Sequence, residues 1–430
     1  MSSLDRRRFM NTSATAGAAL GATLAVSSAR AYKANDRVVL GVMGLSRGVS
    51  LCRGFATKKN VEIKYVCDVD SDRAAACAAT VAKISGKAPE AIGDFRRILN
   101  DKSVDALVCA APNHWHAPAT IMACNAGKHV YVEKPCSHNP HEGEVMVQAA
   151  RTHKRAVQMG TQRRSGATFI EGIKRLHGGV IGRVYSSRAF YASLRGTTGK
   201  CVKASVPKTL NYDLWQGPAP RTPYMSNRVH YKWHWFWHWG NGELGNNGIH
   251  ALDICRWGLN VDYPIHVTSA GGRFAFKDDQ QTPDTHTVCF EFKDRKAITW
   301  IGHSCNRHVD GSGFVTFYGE NGTMDFDGAG GYTIYDRRRS KQLETKKGSR
   351  GDAEHIIDFL TAIRTDKPQQ LNSEINEGHK STLLCHLGNI AQRTRRSLTC
   401  SSKDGHIIGD KDAMKLWKRD YENGWEPKVS

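Results

Sequence analysis

The stretch Val38-Val39-Leu40-Gly41-Val42-Met43-Gly44-Leu45-Ser46-Arg47-Gly48 decides how the chain reads. Its first six residues form a short, unbroken apolar run of the kind buried on both faces of a parallel sheet. A glycine turn ends the run and feeds a helical stretch. The pattern repeats downstream. Ile63 to Cys67, Ala106 to Ala110, His129 to Val132 and Ala156 to Met159 are further short apolar runs. Helical patterns at Asp72 to Ile84, Asp94 to Asn100, His116 to Ala126 and Pro140 to Thr152 separate them. Strict alternation of strand and helix predicts βαβ units and an α/β, doubly wound parallel sheet.

The character changes after Gly160. Val184 to Tyr191, His266 to Phe274, His286 to Phe292, Ala297 to Gly302 and Gly313 to Tyr318 read as strands at hairpin-compatible spacing. Helical patterns cover Ala167 to Leu176, Asn247 to Leu259, Ala353 to Thr365 and Glu374 to Arg396. A second α/β domain with an open, largely antiparallel sheet is expected. The chain of 430 residues exceeds what a single core usually organises, so two domains are expected. We therefore divide it into residues 1–31, 32–157 and 158–430.

Residues 1–31 read as a cleavable leader. Asp5-Arg6-Arg7-Arg8-Phe9-Met10 precedes a weakly apolar Ala/Gly stretch from Ala14 to Val26, and Ala29-Arg30-Ala31 offers a small-x-small cleavage site. That order of parts predicts a twin-arginine signal, the matching export machinery as a partner, and a periplasmic location. A membrane anchor is the poorer reading, because the apolar run is short and poor in leucine; a disordered basic tail is the other alternative. No other segment is apolar enough for stable membrane insertion. The twelve cysteines show no CxxC or zinc-like spacing, so free buried thiols are expected, with one or two pairs left open. The net charge of +20 drops to +17 without the leader, which carries four Arg and one Asp. No nucleic-acid-binding motif accompanies that charge, so nucleic acid is not expected as a partner. A solvated basic surface is the plain reading and an anionic sugar substrate the sharper one.

Gly44, Ser46, Arg47 and Gly48 close the first strand where backbone N–H groups and a helix N-terminus can face a pyrophosphate. Ser46 replaces the second glycine of the usual G-x-G-x-x-G, and Gly48 falls one position before the third, so a plain tight turn competes with this reading. Asp68 ends the second strand, where a carboxylate accepts hydrogen bonds from ribose hydroxyls and repels a 2′-phosphate. It predicts NAD, with NADP disfavoured. The alternative for Asp68 is a solvated residue opening an Asp-Val-Asp turn.

Further motifs are Pro112-Asn113-His114-Trp115-His116, Glu133-Lys134-Pro135, Val157 to Arg164, Leu214 to Pro220 and Trp425-Glu426-Pro427. Together they resemble the Gfo/Idh/MocA oxidoreductases over essentially the whole mature chain, most closely the exported bacterial members. The resemblance implies that Pro112, Asn113, His116, Glu133 and Lys134 complete the cofactor site. It also places Lys134 beside the nicotinamide, as a cation able to orient a hydroxyl and stabilise developing alkoxide. The family's Asp and His, four residues apart on a helix start, map to Asn246 and His250. An amide cannot accept a proton at neutral pH, which leaves His250 for acid/base work, with Lys134 as a partner. A satisfied core histidine near Asp253 is the plain alternative for His250.

The run from His230 to Trp239 is dense in aromatics and histidines that can stack on and bond to sugar, or simply plug the domain. His230, Trp233, Trp237, Arg163 and His250 are the candidate substrate contacts; Arg163 and Arg164 can equally be salt-bridge partners. Histidine tracts can bind metal, but no carboxylate or cysteine spacing supports it here, and no metal is expected. The implied activity is hydride transfer between tightly bound NAD(P) and a carbohydrate or polyol hydroxyl. A redox-neutral glycosidase, lyase or epimerase on the same scaffold is one rival, and a non-catalytic sugar-binding protein another. The resemblance also implies a homo-oligomer through the open sheet.

Overall fold

The computed structural model describes residues 37–308 and 313–430. The expected leader lies outside the described residues. Six strands, β1 Val38–Met43, β2 Val61–Cys67, β3 Glu90–Ile92, β4 Ala106–Cys109, β5 His129–Val132 and β6 Val157–Met159, pair in parallel in the order β3-β2-β1-β4-β5-β6. This is the dinucleotide-binding order, with its topological switch point between β1 and β4. Five helices connect the strands: α1 Arg47–Ala56, α2 Ser71–Ser85, α3 Arg96–Asn100, α4 Asn113–Asn125 and α5 Pro140–Thr152. Their ends follow local chemistry. Asp70 caps α2 by accepting the Asp72 N–H, and left-handed Gly86 stops it. Asn139 caps α5 and Pro140 occupies its first turn.

Two differences from the sequence reading have simple causes. β3 escapes a hydrophobic-run criterion because it is a three-residue edge strand with only Ile92 buried. α4 begins at Asn113, three residues before the expected His116, because Pro112 places its turn directly ahead of the helix.

The second sheet has nine strands: β7 Val184–Ala192, β8 His266–Gly272, β9 Thr285–Phe292, β10 Lys296–His303, β11 Val315–Gly319, β12 Gly322–Phe326, β13 Tyr332–Asp336, β14 Gln342–Lys346 and β15 Leu398–Thr399. Their order is β14-β13-β12-β11-β7-β10-β9-β8-β15, antiparallel throughout except for the β7–β10 pair. One face buries Val267, Val288, Phe290, Ile298, Trp300 and Phe317. Helices α6 Ala167–His177, α8 Ile249–Leu259 and α10 Ile375–Thr394 cover that face; the short α7 Tyr212–Gln216 and α9 Asp352–Arg364 sit elsewhere.

One hydrophobic core runs through both halves, joining Val130, Val132 and Met159 to Leu383, Leu384 and Ile390 of α10. On the other face of the parallel sheet, α9 returns from the C-terminal half. Its Ile356, Phe359 and Leu360 pack with Leu40, Val42, Leu51 and Phe55. Among the described residues no helix is long and apolar enough to cross a membrane. All twelve cysteines are free thiols, nine of them buried.

Candidate active site

The carboxyl ends of β1, β2, β4, β5 and β6 open into a cleft of about 470 Å³, walled on its far side by the C-terminal half. Gly44 makes its sharp floor. At φ +85° it takes a left-handed conformation, and a Cβ there would lie 2.4 Å from the Ala111 nitrogen. Gly48 does not line the cleft. It packs α1 onto the sheet, where an added Cβ would sit 3.3 Å from Val42 and 3.7 Å from Ala110. Ser46 makes no side-chain cap and α1 has no acid in its first turn, so the helix N-terminus is left open towards the cleft. Asp68 accepts the Leu45 N–H at 2.8 Å and the Asp70 N–H at 3.0 Å, and Arg73 approaches it at 3.5 Å. A tight glycine floor, an open helix end and a strand-end carboxylate fit a dinucleotide.

Lys134 projects from the end of β5. Its Nζ donates to the Asn246 carbonyl at 2.8 Å and to Asn246 Oδ1 at 3.2 Å. Burial pushes its ammonium below the usual lysine range, against the opposing pull of Glu133 and Glu243. Glu133 is occupied: it accepts from Arg47 Nε at 3.1 Å, Gln162 Nε2 at 3.4 Å and the Lys134 N–H at 3.2 Å. Asn246 and His250 are not on one regular helical turn. Leu244–Gly248 is a π-turn that leads into α8, a distortion common at functional sites. It presents both a backbone carbonyl and the amide of Asn246 to Lys134.

His250 lines the cleft, and its buried Nδ1 has no hydrogen-bond partner among the described residues. Burial, then the charges of Arg163, Lys134, Arg47 and Arg350, hold its imidazole well below the usual histidine range. The expected acid/base is thus a neutral ring in a cationic surrounding.

The cleft also gathers Pro112, Asn113, His116, Arg163, His230 and Trp233. Asn113 donates to Asn241 at 2.9 Å and so ties α4 to the substrate side. Both ring nitrogens of His116 face backbone carbonyls, Pro135 at 2.6 Å and Ala111 at 2.7 Å, so this ring clamps two loops together. His230 lies 3.0 Å from Asp70, and Trp233 Nε1 donates to the His230 carbonyl at 2.9 Å. Arg163 and Arg164 part company. Arg164 is buried in a two-bond pair with Asp253 at 2.8–2.9 Å, whereas Arg163 lines the cleft and donates to the Gly328 carbonyl.

Trp237 is placed elsewhere. Its N–H donates to Gln281, Arg393 stacks on its ring at 5.1 Å, and it borders a separate surface hollow. The 3-10 turn Lys232–Trp235 ends in extended Phe236, and this change of backbone direction separates Trp233 from Trp237. Residues that the sequence reading did not single out also line the cleft: Arg73, Asp94, Phe95, Gln162, His234, Arg350 and Asp352. Asp94 and Phe95 follow the unrecognised β3. Arg350 and Asp352 lie about two hundred residues beyond the parallel sheet and carry no local motif.

The parallel sheet, the cleft at its switch point and the second sheet beyond it define a two-domain, dinucleotide-cleft protein. The chain belongs to the Gfo/Idh/MocA oxidoreductase family: the NAD-binding Rossmann fold of that family matches residues 37–161 and its C-terminal alpha/beta domain matches residues 189–427. Relatives include a glycosyl hydrolase family 109 protein of Saccharopolyspora erythraea, 31% identical over 44% of this chain and 46% of that protein. An inositol 2-dehydrogenase of Salmonella typhimurium is 30% identical over 30% of this chain and 37% of that protein. The chain thus spans less than half the length of these relatives in the matched regions. Similar folds include the WlbA dehydrogenase of Bordetella pertussis in complex with NADH and UDP-GlcNAcA, with a TM-score of 0.64, 20% identity, and coverage of 85% of this chain and 99% of that one. The aldose-aldose oxidoreductase of Caulobacter crescentus complexed with glycerol has a TM-score of 0.62, 18% identity, and coverage of 84% and 99%.

Proposed function

We propose that this oxidoreductase moves hydride between a tightly held nicotinamide nucleotide, NAD in preference to NADP, and a carbohydrate or polyol hydroxyl. The observation that carries the reading is Lys134, an amine with a lowered pKa set at the β5 end of the nucleotide cleft. Gly44, Ser46, Arg47 and the α1 N-terminus would hold the pyrophosphate, and Asp68 the adenine ribose, of a nucleotide that supplies the hydride-accepting ring. Lys134 orients the substrate hydroxyl and takes its proton, with Asn246 holding the Nζ in place. Neutral His250 bonds a neighbouring hydroxyl. Trp233 and His230 form the outer wall. Relatives named for inositol oxidation and neighbours crystallised with sugar-type ligands support the substrate class.

A redox-neutral cycle on one sugar is the second reading, favoured by relatives named as family 109 glycosyl hydrolases. Twin-arginine export, periplasmic residence and assembly through the open sheet belong to the same proposal. The test is to identify by mass the nucleotide released on denaturation, then to follow its absorbance at 340 nm against a panel of sugars and glycosides. Nucleotide reduction by a free sugar supports net oxidation. Glycoside cleavage without net reduction supports the cycle. Absence of both nucleotide and turnover rejects the enzyme reading.

A further inference from the structure

Two arginines of the cleft carry charge that the protein leaves without a counterion. Among the described residues the Arg163 side chain bonds only the Gly328 carbonyl, at 3.1 Å from Nε and 2.8 Å from Nη2, and stacks on Phe314 at 4.8 Å. Arg350 is exposed to the cleft. Neither pairs with a carboxylate among the described residues. Of the acids whose charge reaches Arg163, Asp352 binds Arg47, Asp253 binds Arg164, and Asp327 accepts the backbone N–H groups of Ala329, Gly330 and Gly331; Glu133 also binds Arg47. Burial and the charge of Arg350 push the Arg163 guanidinium down to about 10. Like charges held together in a half-buried wall cost free energy unless a ligand anion joins them.

The backbone fixes this arrangement. A Cβ on Gly351 would meet the Gly166 nitrogen at 2.4 Å, and one on Gly330 would meet Ser349 backbone at 2.5 Å. The strap carrying Arg350 is therefore pressed against the start of α6 at backbone contact, beside the turn that carries Arg163.

The position separates this pair from the pyrophosphate floor. Arg163 follows β6, three strands from the Gly44 turn on β1, or about 14 Å at the usual strand spacing. Of the charges acting on His250, that of Arg163 is the strongest. Arg163 thus faces the substrate side, and the Gly351–Gly166 backbone contact sets the strap of Arg350 beside its turn.

We infer that the cleft selects a sugar bearing a carboxylate, which Arg163 and Arg350 bind beside His250. The inference rests on the proposed sugar reading and narrows it to acidic sugars. Arginine is suited to this task, since its planar fork matches a carboxylate, and each charge-assisted bond discriminates about tenfold or more against a neutral analogue.

The test is calorimetric titration of the purified protein, with its retained nucleotide, using glucose against glucuronate and galactose against galacturonate. At least one uronate should bind about tenfold or more tightly than its neutral partner. Arg350→Gln should bring that preference to within about threefold without changing the circular dichroism spectrum or nucleotide retention, and Arg163→Lys should weaken it by a similar factor. Equal affinity for both members of each pair, or no binding of either uronate at 10 mM, overturns the inference. So does an Arg350→Gln protein that loses nucleotide yet keeps the preference, which would assign Arg350 to the pyrophosphate. A uronate preference in protein that holds no nucleotide would instead sustain this inference and reject the redox reading.

Discussion

At the residue scale, the amide of Asn246, rather than a carboxylate, is what Lys134 Nζ meets across the cleft. An aspartate beside Lys134 Nζ would pair with it and hold the proton on. The amide and the carbonyl of Asn246 orient the ammonium without a compensating charge, and burial then lowers its pKa. If the neutral amine takes the hydroxyl proton, oxidation rises with pH as Lys134 loses its own proton. Asn246→Asp should raise the Lys134 pKa and move the pH of half-maximal oxidation upward; an unmoved pH–rate profile removes Lys134 as the titrating group. Lys134→Met should keep the nucleotide but lower turnover by about 10²–10⁴, the range for a lost acid/base group, as single-turnover absorbance would record. His250→Asn should lower turnover yet leave the shape of the profile around neutral pH unchanged. The imidazole is already neutral there, because its pKa is depressed and protonation is deferred to lower pH. Loss of an ionisation near pH 6.5 in that variant would contradict the environment described. Asp68→Ala should weaken NAD more than NADP, by about 1–3 kcal/mol for lost charged hydrogen bonds, which nucleotide titration measures.

At the element scale, α9 links the two halves. It leaves the second sheet to cover the parallel one, and its first turn brings Asp352 to Arg47 at 3.4 Å. Phe359 is fully buried there, with Phe55 and Tyr131 rings at 6.3 Å and 5.9 Å. Phe359→Ala should cost about 3–5 kcal/mol, visible as a lower urea midpoint with nearly unchanged slope. The sequence marked this segment as a helix because its apolar residues recur with helical period. Nothing local indicates which sheet receives that face. The π-turn at Leu244–Gly248 was hidden for a related reason. Within it the Asn246 carbonyl accepts from Lys134, a contact from a distant strand end, whereas the residues alone read as an ordinary helix start.

At the scale of the whole molecule, the export reading and the cofactor cleft bear on each other. A twin-arginine route carries proteins already folded, and the compartment beyond the inner membrane offers no evident supply of nicotinamide nucleotide. The proposed export therefore predicts uptake of the nucleotide before transport and its retention, with a dissociation constant below about 1 μM, equivalent to about −8 kcal/mol. Protein isolated from the periplasm should keep stoichiometric nucleotide through extensive dialysis. A stable apoprotein that needs millimolar added NAD would refute retention.

The sequence by itself determined the doubly wound sheet, the glycine floor at Gly44, the strand-end acid Asp68 and the Lys134 motif. Each of these follows from local rules: a buried strand must be apolar, a left-handed turn favours glycine, and a strand end fixes where its next residue emerges. Only the tertiary structure decided that Trp233 lines the cleft while Trp237 leaves it, that Arg164 is consumed by Asp253 while Arg163 is not, and that Arg350 arrives from a distant strap. It also buried His250 among cations that hold its imidazole well below the usual histidine range. These outcomes depend on which charges and which faces meet across long separations in the chain. Spacing along the sequence carries no record of that, because burial and Coulomb interaction act through space.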